Sequence, residues 1–163
     1  MIKNLYNKRK VQVEQALYTI ADWLVDNYDV IVVGDYRPSK ASAPKKRMRK
    51  KVLNESCIGK MRTILEQVCE RKGKEYIKVD ERGTTKTCCM CKHQEHKNPK
   101  IREFTCKMCN KSIYRDINSA INIGIKGKIL SSSDYVDLDL SKPIYAVNYD
   151  WRKQTLCLSS YSL

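Results

Sequence analysis

Four cysteines fall in two pairs, Cys88-x2-Cys91 and Cys106-x2-Cys109, with fourteen residues between the pairs. A thiolate pair at this spacing chelates a metal ion from one tight turn, and two such turns complete a tetrahedron of soft ligands suited to zinc. With four protein ligands no position is left for water, so such a zinc holds structure and does no chemistry. Its binding free energy, on the order of 10 kcal/mol, can fold a segment this polar. Cys89 offers a second register, but Cys88 reproduces the spacing of the second pair and is assigned as the ligand. His93 and His96 could also ligate; with four thiols present they read as loop histidines. Two acidic sites flank the cysteines: Asp80-Glu81 ahead of them and Asp116 behind.

The periodicity predicts the elements that position these groups. Residues 3–28 read as an amphipathic helix, with Val13, Ala16, Leu17, Ile20, Leu24 and Tyr28 on its apolar face. Val30-Ile31-Val32-Val33 reads as a buried strand that stops at Gly34-Asp35. A second helix is expected from Glu55 to Arg71, apolar at Cys57, Ile58, Met61, Leu65 and Val68, with Asn54 as its N-cap and Gly73 as its stop. Cys57 and Cys69 read as core or near-core residues of that helix, and Cys157 has no identifiable partner. Tyr76–Val79 reads as a second strand that delivers Asp80-Glu81 to its tip. A last helix is expected from Asp116 to Lys128, where Asp116 could serve as N-cap or as a catalytic acid. This alternation of helix and strand predicts an α/β layer fold.

The formal charge of +14 on 163 residues points to a polyanionic partner, nucleic acid before anionic membrane. Residues 131–163 hold three bases and four acids; taking these from the totals of 32 and 18 leaves 29 and 14 in the first 130. The binding field therefore belongs to that part. Between residues 37 and 51 stand Arg37, Lys40, Lys45, Lys46, Arg47, Arg49, Lys50 and Lys51, with no acid and with prolines and serines between them. Such a loop suits phosphate contacts with steep salt dependence. Lys97, Lys100, Arg102, Lys107 and Lys111 add a basic face to the cysteine segment; Tyr114 could stack on a base, while Phe104 suits packing around the metal core. No apolar run approaches the ~20 residues that cross a bilayer, and the Lys-rich start lacks the pattern of a signal peptide. An intracellular location, cytoplasmic or with DNA in nucleoid or nucleus, is expected, with no membrane partner and no secretion.

Three blocks of residues, in order, resemble one family. They are Val79-Asp80-Glu81-Arg82-Gly83-Thr84-Thr85-Lys86-Thr87-Cys88, then Phe104-Thr105-Cys106-Lys107-Met108-Cys109, then Arg115-Asp116-Ile117-Asn118-Ser119-Ala120-Ile121-Asn122-Ile123. They resemble the C-terminal half of TnpB, the OrfB-type protein of insertion-sequence transposons, whose relatives include the Fanzor proteins and, more distantly, type V CRISPR effectors. The resemblance runs from about residue 10 to 125. It implies a partial RNase H-like (RuvC) α/β layer fold interrupted by a small four-cysteine zinc ribbon, cutting DNA under the direction of an RNA. Two-metal hydrolysis of this kind uses converging carboxylates around paired ions. Asp116 matches the third acid of the family. Gly34 stands where many members carry the second acid, a glutamate, and Glu81 matches the alternative glutamate of the Fanzor-like members, with Asp35 as a neighbouring acid.

The resemblance also sets a limit. No Asp-x-Gly strand precedes residue 10, so the first acid and the N-terminal recognition domains are expected to be missing. The chain is expected to be a truncated or split nuclease, inactive alone and completed, with magnesium, by an N-terminal companion polypeptide. The expected parts are a partial RuvC-like region at 1–84, the ribbon at 85–112, the final RuvC helix at 113–130 and a tail of unassigned role at 131–163. The partners expected are DNA and/or a guide RNA. The competing readings are a non-catalytic zinc-ribbon regulator that binds nucleic acid and a scaffold whose ribbon binds protein.

Overall fold

The computed structural model describes residues 2–35, 57–96, 98, 101–137 and 145–160. The basic loop 37–51, Asn54, Lys97, Lys100 and the side chain of Phe104 lie outside the described residues. In order the elements are α1 (Ile2–Asn27), β1 (Val30–Gly34), α2 (Ile58–Lys72), β2 (Glu75–Val79), β3 (Glu103–Thr105), β4 (Ser112–Tyr114), α3 (Arg115–Lys126), a 3-10 turn (Ser132–Asp134), β5 (Tyr145–Asp150) and β6 (Thr155–Ser160). The described strands form three two-stranded sheets, β1–β2, β3–β4 and β5–β6, giving a mixed α/β chain. The chain divides into two compact units. Of the described residues, unit one holds 2–31, 57–76 and 147–159, and unit two holds those in 32–35, 77–137, 145–146 and 160.

In the first unit α1 packs on α2. Ala16, Ala21 and Val25 of α1 and Ile64, Leu65, Val68 and Cys69 of α2 are the buried side chains. The predicted apolar face is therefore rotated: Ala21 and Val25 reach the core, whereas Tyr28 is 47% exposed. Tyr28 lies just past the last turn of α1, where its ring meets Trp23 edge-on at 6.2 Å. Ile58 also departs from expectation, being exposed in the first turn of α2. That helix opens at Cys57, half-buried and in the left-handed region (φ 50°), with no side-chain cap bond. Its end matches the reading: Gly73 (φ 65°) closes it by donating to the carbonyls of Cys69 and Glu70. Surface ion pairs, Lys60–Glu14 (2.9 Å), Lys72–Asp22 (3.0 Å) and Lys72–Asp26 (2.8 Å), line the helix pair. Exposed pairs of this kind are worth only ~0–1 kcal/mol each, so buried apolar contacts supply most of the cohesion.

Two bonds fix the sense of the β1–β2 pair. Glu75 N–H donates to Asp29 O (3.0 Å) at one end and Asp35 N–H to Val79 O (2.7 Å) at the other, so both strands run the same way. A parallel pair requires a crossover, and α2 lies on it.

In the second unit the core is built of Cys88, Cys89, Cys106, Ile113, Ile121 and Tyr135, with Met90, Cys109, Ile117 and Ile125 packed against it. The cysteine turns and α3 thus share one core. Tyr135, beyond the segment that the sequence assigns to the site, is 4% exposed. Its hydroxyl donates to Cys89 O (3.0 Å).

Candidate metal centre and flanking acids

The two cysteine turns are the same structure built twice. Lys92 N–H donates to Cys88 O (2.9 Å) and Cys88 N–H to His93 O (2.8 Å); Asn110 N–H donates to Cys106 O (2.9 Å) and Cys106 N–H to Lys111 O (3.0 Å). The fourth residue after each leading cysteine is left-handed, Lys92 at φ 62° and Asn110 at φ 53°. Asn tolerates that region through its short polar side chain, whereas Lys pays about 1 kcal/mol or more. Lys92 offsets this through Nζ, which donates to Cys89 O (2.7 Å) and to Tyr135 Oη (3.3 Å). Flanking the second turn, β3 and β4 pair antiparallel, Phe104 opposite Ile113 and Glu103 opposite Tyr114.

These repeats bring the Sγ atoms of Cys88, Cys91, Cys106 and Cys109 within 4.8 Å of one another. The Cys88–Cys109 and Cys91–Cys106 separations are 3.8 and 3.6 Å. Four sulfurs at the Zn–S distance of about 2.3 Å stand about 3.8 Å apart along the edges of a tetrahedron. Disulfide bonding, at about 2.05 Å, does not describe these pairs. The donor set and its spacing fit zinc. Cys89 lies outside the cluster, fully buried in the core.

The thiols are not equivalent. Burial pushes Cys88 up to about 12. Burial also raises Cys109. Burial acts in the same sense on Cys106, but the backbone N–H groups of Cys109 and Met108 and the thiols of Cys91 and Cys109 outweigh it, bringing Cys106 down to about 7. Metal uptake at neutral pH therefore displaces protons, above all from Cys88, and weakens as the pH falls.

Helix α3 ties this centre to both acidic sites. Asn118 and Asn122, one turn apart on the same face, are buried. Asn118 Oδ1 accepts from Cys89 N–H (2.8 Å), and its Nδ2 donates to Thr84 O (3.1 Å) and Thr87 O (2.9 Å). Asn122 Nδ2 donates to the same two carbonyls at 3.0 and 2.7 Å. Ser119 Oγ meets Thr84 Oγ1 at 3.0 Å, and Thr84 Oγ1 bonds Glu81 O at 2.8 Å. Two turns on, Lys126 Nζ donates to Asp80 O (2.7 Å) and Arg82 O (2.8 Å), the carbonyls on either side of Glu81. The backbone from 80 to 89 is thereby held against the helix that carries Asp116. At its end α3 approaches β1 closely: a Cβ on Gly127 would stand 2.7 Å from Val32 Cγ1.

Each sequence-assigned acid has a distinct setting. Asp80 is taken up by Arg82, whose backbone N–H first and guanidinium second hold its carboxyl below the usual range. Glu81, half-buried, points into the space above Gly34: a Cβ added there would lie 2.2 Å from Glu81 Oε2 and 2.9 Å from its Cβ. A side chain at 34 and the glutamate at 81 therefore crowd one another, which is a steric reason for glycine at position 34. Gly34→Ala is expected to lower stability by about 1–3 kcal/mol through overpacking, and Gly34→Ala/Glu81→Ala to recover part of it, since the carboxylate is gone while the Cβ of residue 81 remains 2.9 Å away. Urea unfolding of the single and double variants checks this, and an equal loss in both would contradict the contact.

Asp35 faces Lys78 Nζ at 4.0 Å. Asp116 sits in the first turn of α3, not at its cap, which is Tyr114. Arg102 Nη1 contacts Asp116 Oδ2 at 2.8 Å and Arg115 Nη2 contacts Oδ1 at 3.1 Å. Among the described residues the thiols form the cluster of three or more metal-type ligands; Asp35, Glu81 and Asp116 form none. These acids alone do not fit a divalent-ion centre. Sequence reasoning missed Asn118, Asn122 and Lys126 as positioning residues, although the i, i+4 asparagines in an apolar helix were a visible signal.

Known proteins resemble this chain in both sequence and fold. The Cas12f1-like TNB domain family matches residues 59–123. A protein of Acanthamoeba polyphaga mimivirus named "Putative transposase R186" is 32% identical over 136 residues, covering 78% of this chain and 27% of that protein. The fold is also similar to one in the cryo-EM structure of the Cas12f1-sgRNA-target DNA complex. There the TM-score is 0.50 and the identity 24%, over 75% of this chain and 35% of the other. These likenesses support a place in the TnpB/OrfB-type transposase family. It spans about a quarter of the length of that viral relative and about a third of the solved chain. No helix among the described residues is long and apolar enough to cross a membrane.

Proposed function

We propose that the chain is the RuvC and zinc-ribbon portion of a transposon-associated, RNA-guided DNA endonuclease. The observation that carries this reading is the order acid, ribbon, acid on one scaffold: Glu81 in the space that Gly34 leaves, the four thiols, and Asp116 on the helix that pins the other two. On this reading residues 1–84 are a partial RNase H-like layer, 85–112 the ribbon and 113–130 the final RuvC helix. Glu81 and Asp116 are two of the catalytic acids. The remaining acid comes from a preceding segment of a longer polypeptide or from a companion chain, and magnesium binds once it is present. Residues 37–51 clamp phosphates of DNA or guide RNA.

A second reading, a ribbon protein that binds nucleic acid without cutting it, is favoured by the two guanidinium groups on Asp116. Both readings predict binding to single-stranded DNA and RNA in low salt, with affinity falling steeply as salt rises. The nuclease reading further predicts that these 163 residues alone, given magnesium, leave DNA intact. Cutting by the isolated chain that survives Asp116→Ala would defeat the assignment of that acid. Failure to bind either nucleic acid would defeat both readings.

A further inference from the structure

The first unit also offers a candidate site that involves neither the acids nor the ribbon. A cavity of about 260 Å³ lies between α1 and the β5–β6 hairpin, lined by Val11, Gln12, Gln15, Tyr149, Trp151 and Gln154. It is a little below the ~300–1,000 Å³ typical of sites for drug-sized ligands, so it suits one flat ring system. Its wall is aromatic: Tyr149 and Trp151 meet edge to face, with ring centroids 4.9 Å apart, and Trp151 is 58% exposed. Its rim is three amides, each offering a carbonyl acceptor and a two-hydrogen donor. Aromatic faces with amide edges are the groups that stack on an unpaired nucleobase and pair with its edge.

Two further features favour that occupant. Exposed Lys8, Arg9 and Lys10 on α1 and Arg152 and Lys153 on the hairpin turn belong to the same unit, while the nearby Glu14 is paired with Lys60. A sugar–phosphate backbone entering this region meets mainly cations. The hairpin turn is closed by Asp150 Oδ1, which accepts the N–H groups of Arg152 (2.8 Å) and Lys153 (3.1 Å). It ends on Gln154 at φ 54°, a left-handed position that glycine occupies without cost. A side chain kept there at the expense of backbone strain, and lining a cavity, indicates a use for that side chain.

We propose that this cavity binds one unpaired nucleobase of a single-stranded DNA or RNA, stacked on Trp151 and read at its edge by Gln12, Gln15 and Gln154. The inference rests on the nucleic-acid reading above. The test is fluorescence anisotropy of the full chain with labelled 12-nucleotide oligo(dT), oligo(U) and an abasic strand of the same length. Stacking of one base is worth about 1–3 kcal/mol, so Trp151→Ala should weaken the base-bearing strands by about 5- to 150-fold and leave the abasic strand unchanged. Gln154→Gly should weaken the same strands while keeping or raising the melting temperature, which separates lost recognition from lost folding. Comparison of oligo(dT) with oligo(U) identifies which strand supplies the base. Equal affinity of wild type and both variants for base-bearing strands overturns the proposal while leaving the nucleic-acid reading intact. Absence of binding to any strand overturns both.

Discussion

Cys106→Ser is expected to abolish stoichiometric zinc binding and to unfold residues 87–114, whereas Cys89→Ser should retain one zinc per chain. Cys106 is fully buried and is one of the four clustered thiols. Its loss forfeits most of a binding free energy on the order of 10 kcal/mol, more than the whole stability margin of a typical domain. Its regular pairing is slight: among the described residues β3 and β4 are three residues each, and an isolated bridge joins Thr87 to Gln94. Cys89 is equally buried but belongs to the apolar core, where serine costs packing and leaves the ligands in place. Zinc stoichiometry by native mass spectrometry, with hydrogen exchange over 87–114, distinguishes the two. Loss of zinc from Cys89→Ser, with retention in Cys88→Ser, would show that the other register is correct. Because uptake displaces protons, affinity should also be lower at pH 6 than at pH 8.

The second large effect belongs to Asn118. Its side chain satisfies Cys89 N–H and shares the carbonyls of Thr84 and Thr87 with Asn122, so both lone pairs of each carbonyl are used. Asn118→Ala leaves those carbonyls one donor each but orphans a buried N–H, a loss of about 2–3 kcal/mol. Asn118→Asp should be worse, because it sets a carboxylate against two carbonyl oxygens in a buried site. Removing both asparagines should exceed the sum of the single losses, since each covers for the other. Urea unfolding of the four variants decides it. Values for Asn118→Ala and Asn118→Asp within about 0.5 kcal/mol of wild type would remove the asparagines from the account.

How much of this was legible in the sequence depended on which force sets each feature. The thiol register was, because Cys-x2-Cys turns have one geometry and the chain repeats it at Lys92 and Asn110. The strands Val30–Gly34 and Glu75–Val79 and the stop at Gly73 were too, since β-branched runs and left-handed glycines act locally. The burial of Ala21 and Val25 in place of Tyr28 was not, because the α1–α2 crossing selects the face. Nor was the role of Tyr135, which composition places in a tail and packing places in the ribbon core. The crowding of position 34 by Glu81 needed two strand ends in space, although the family pattern named both residues.

The claim that Glu81 and Asp116 are two acids of one nuclease centre is tested most directly by complementation. The chain is combined with a family polypeptide that supplies the first acid and the recognition domains, together with guide RNA, magnesium and a matched DNA target. The wild-type chain is expected to restore cleavage, and both Asp116→Ala and Glu81→Gln to lose it by at least about 1,000-fold, with zinc content and RNA binding unchanged. Cleavage at wild-type rates by either variant in the complemented complex would contradict that claim.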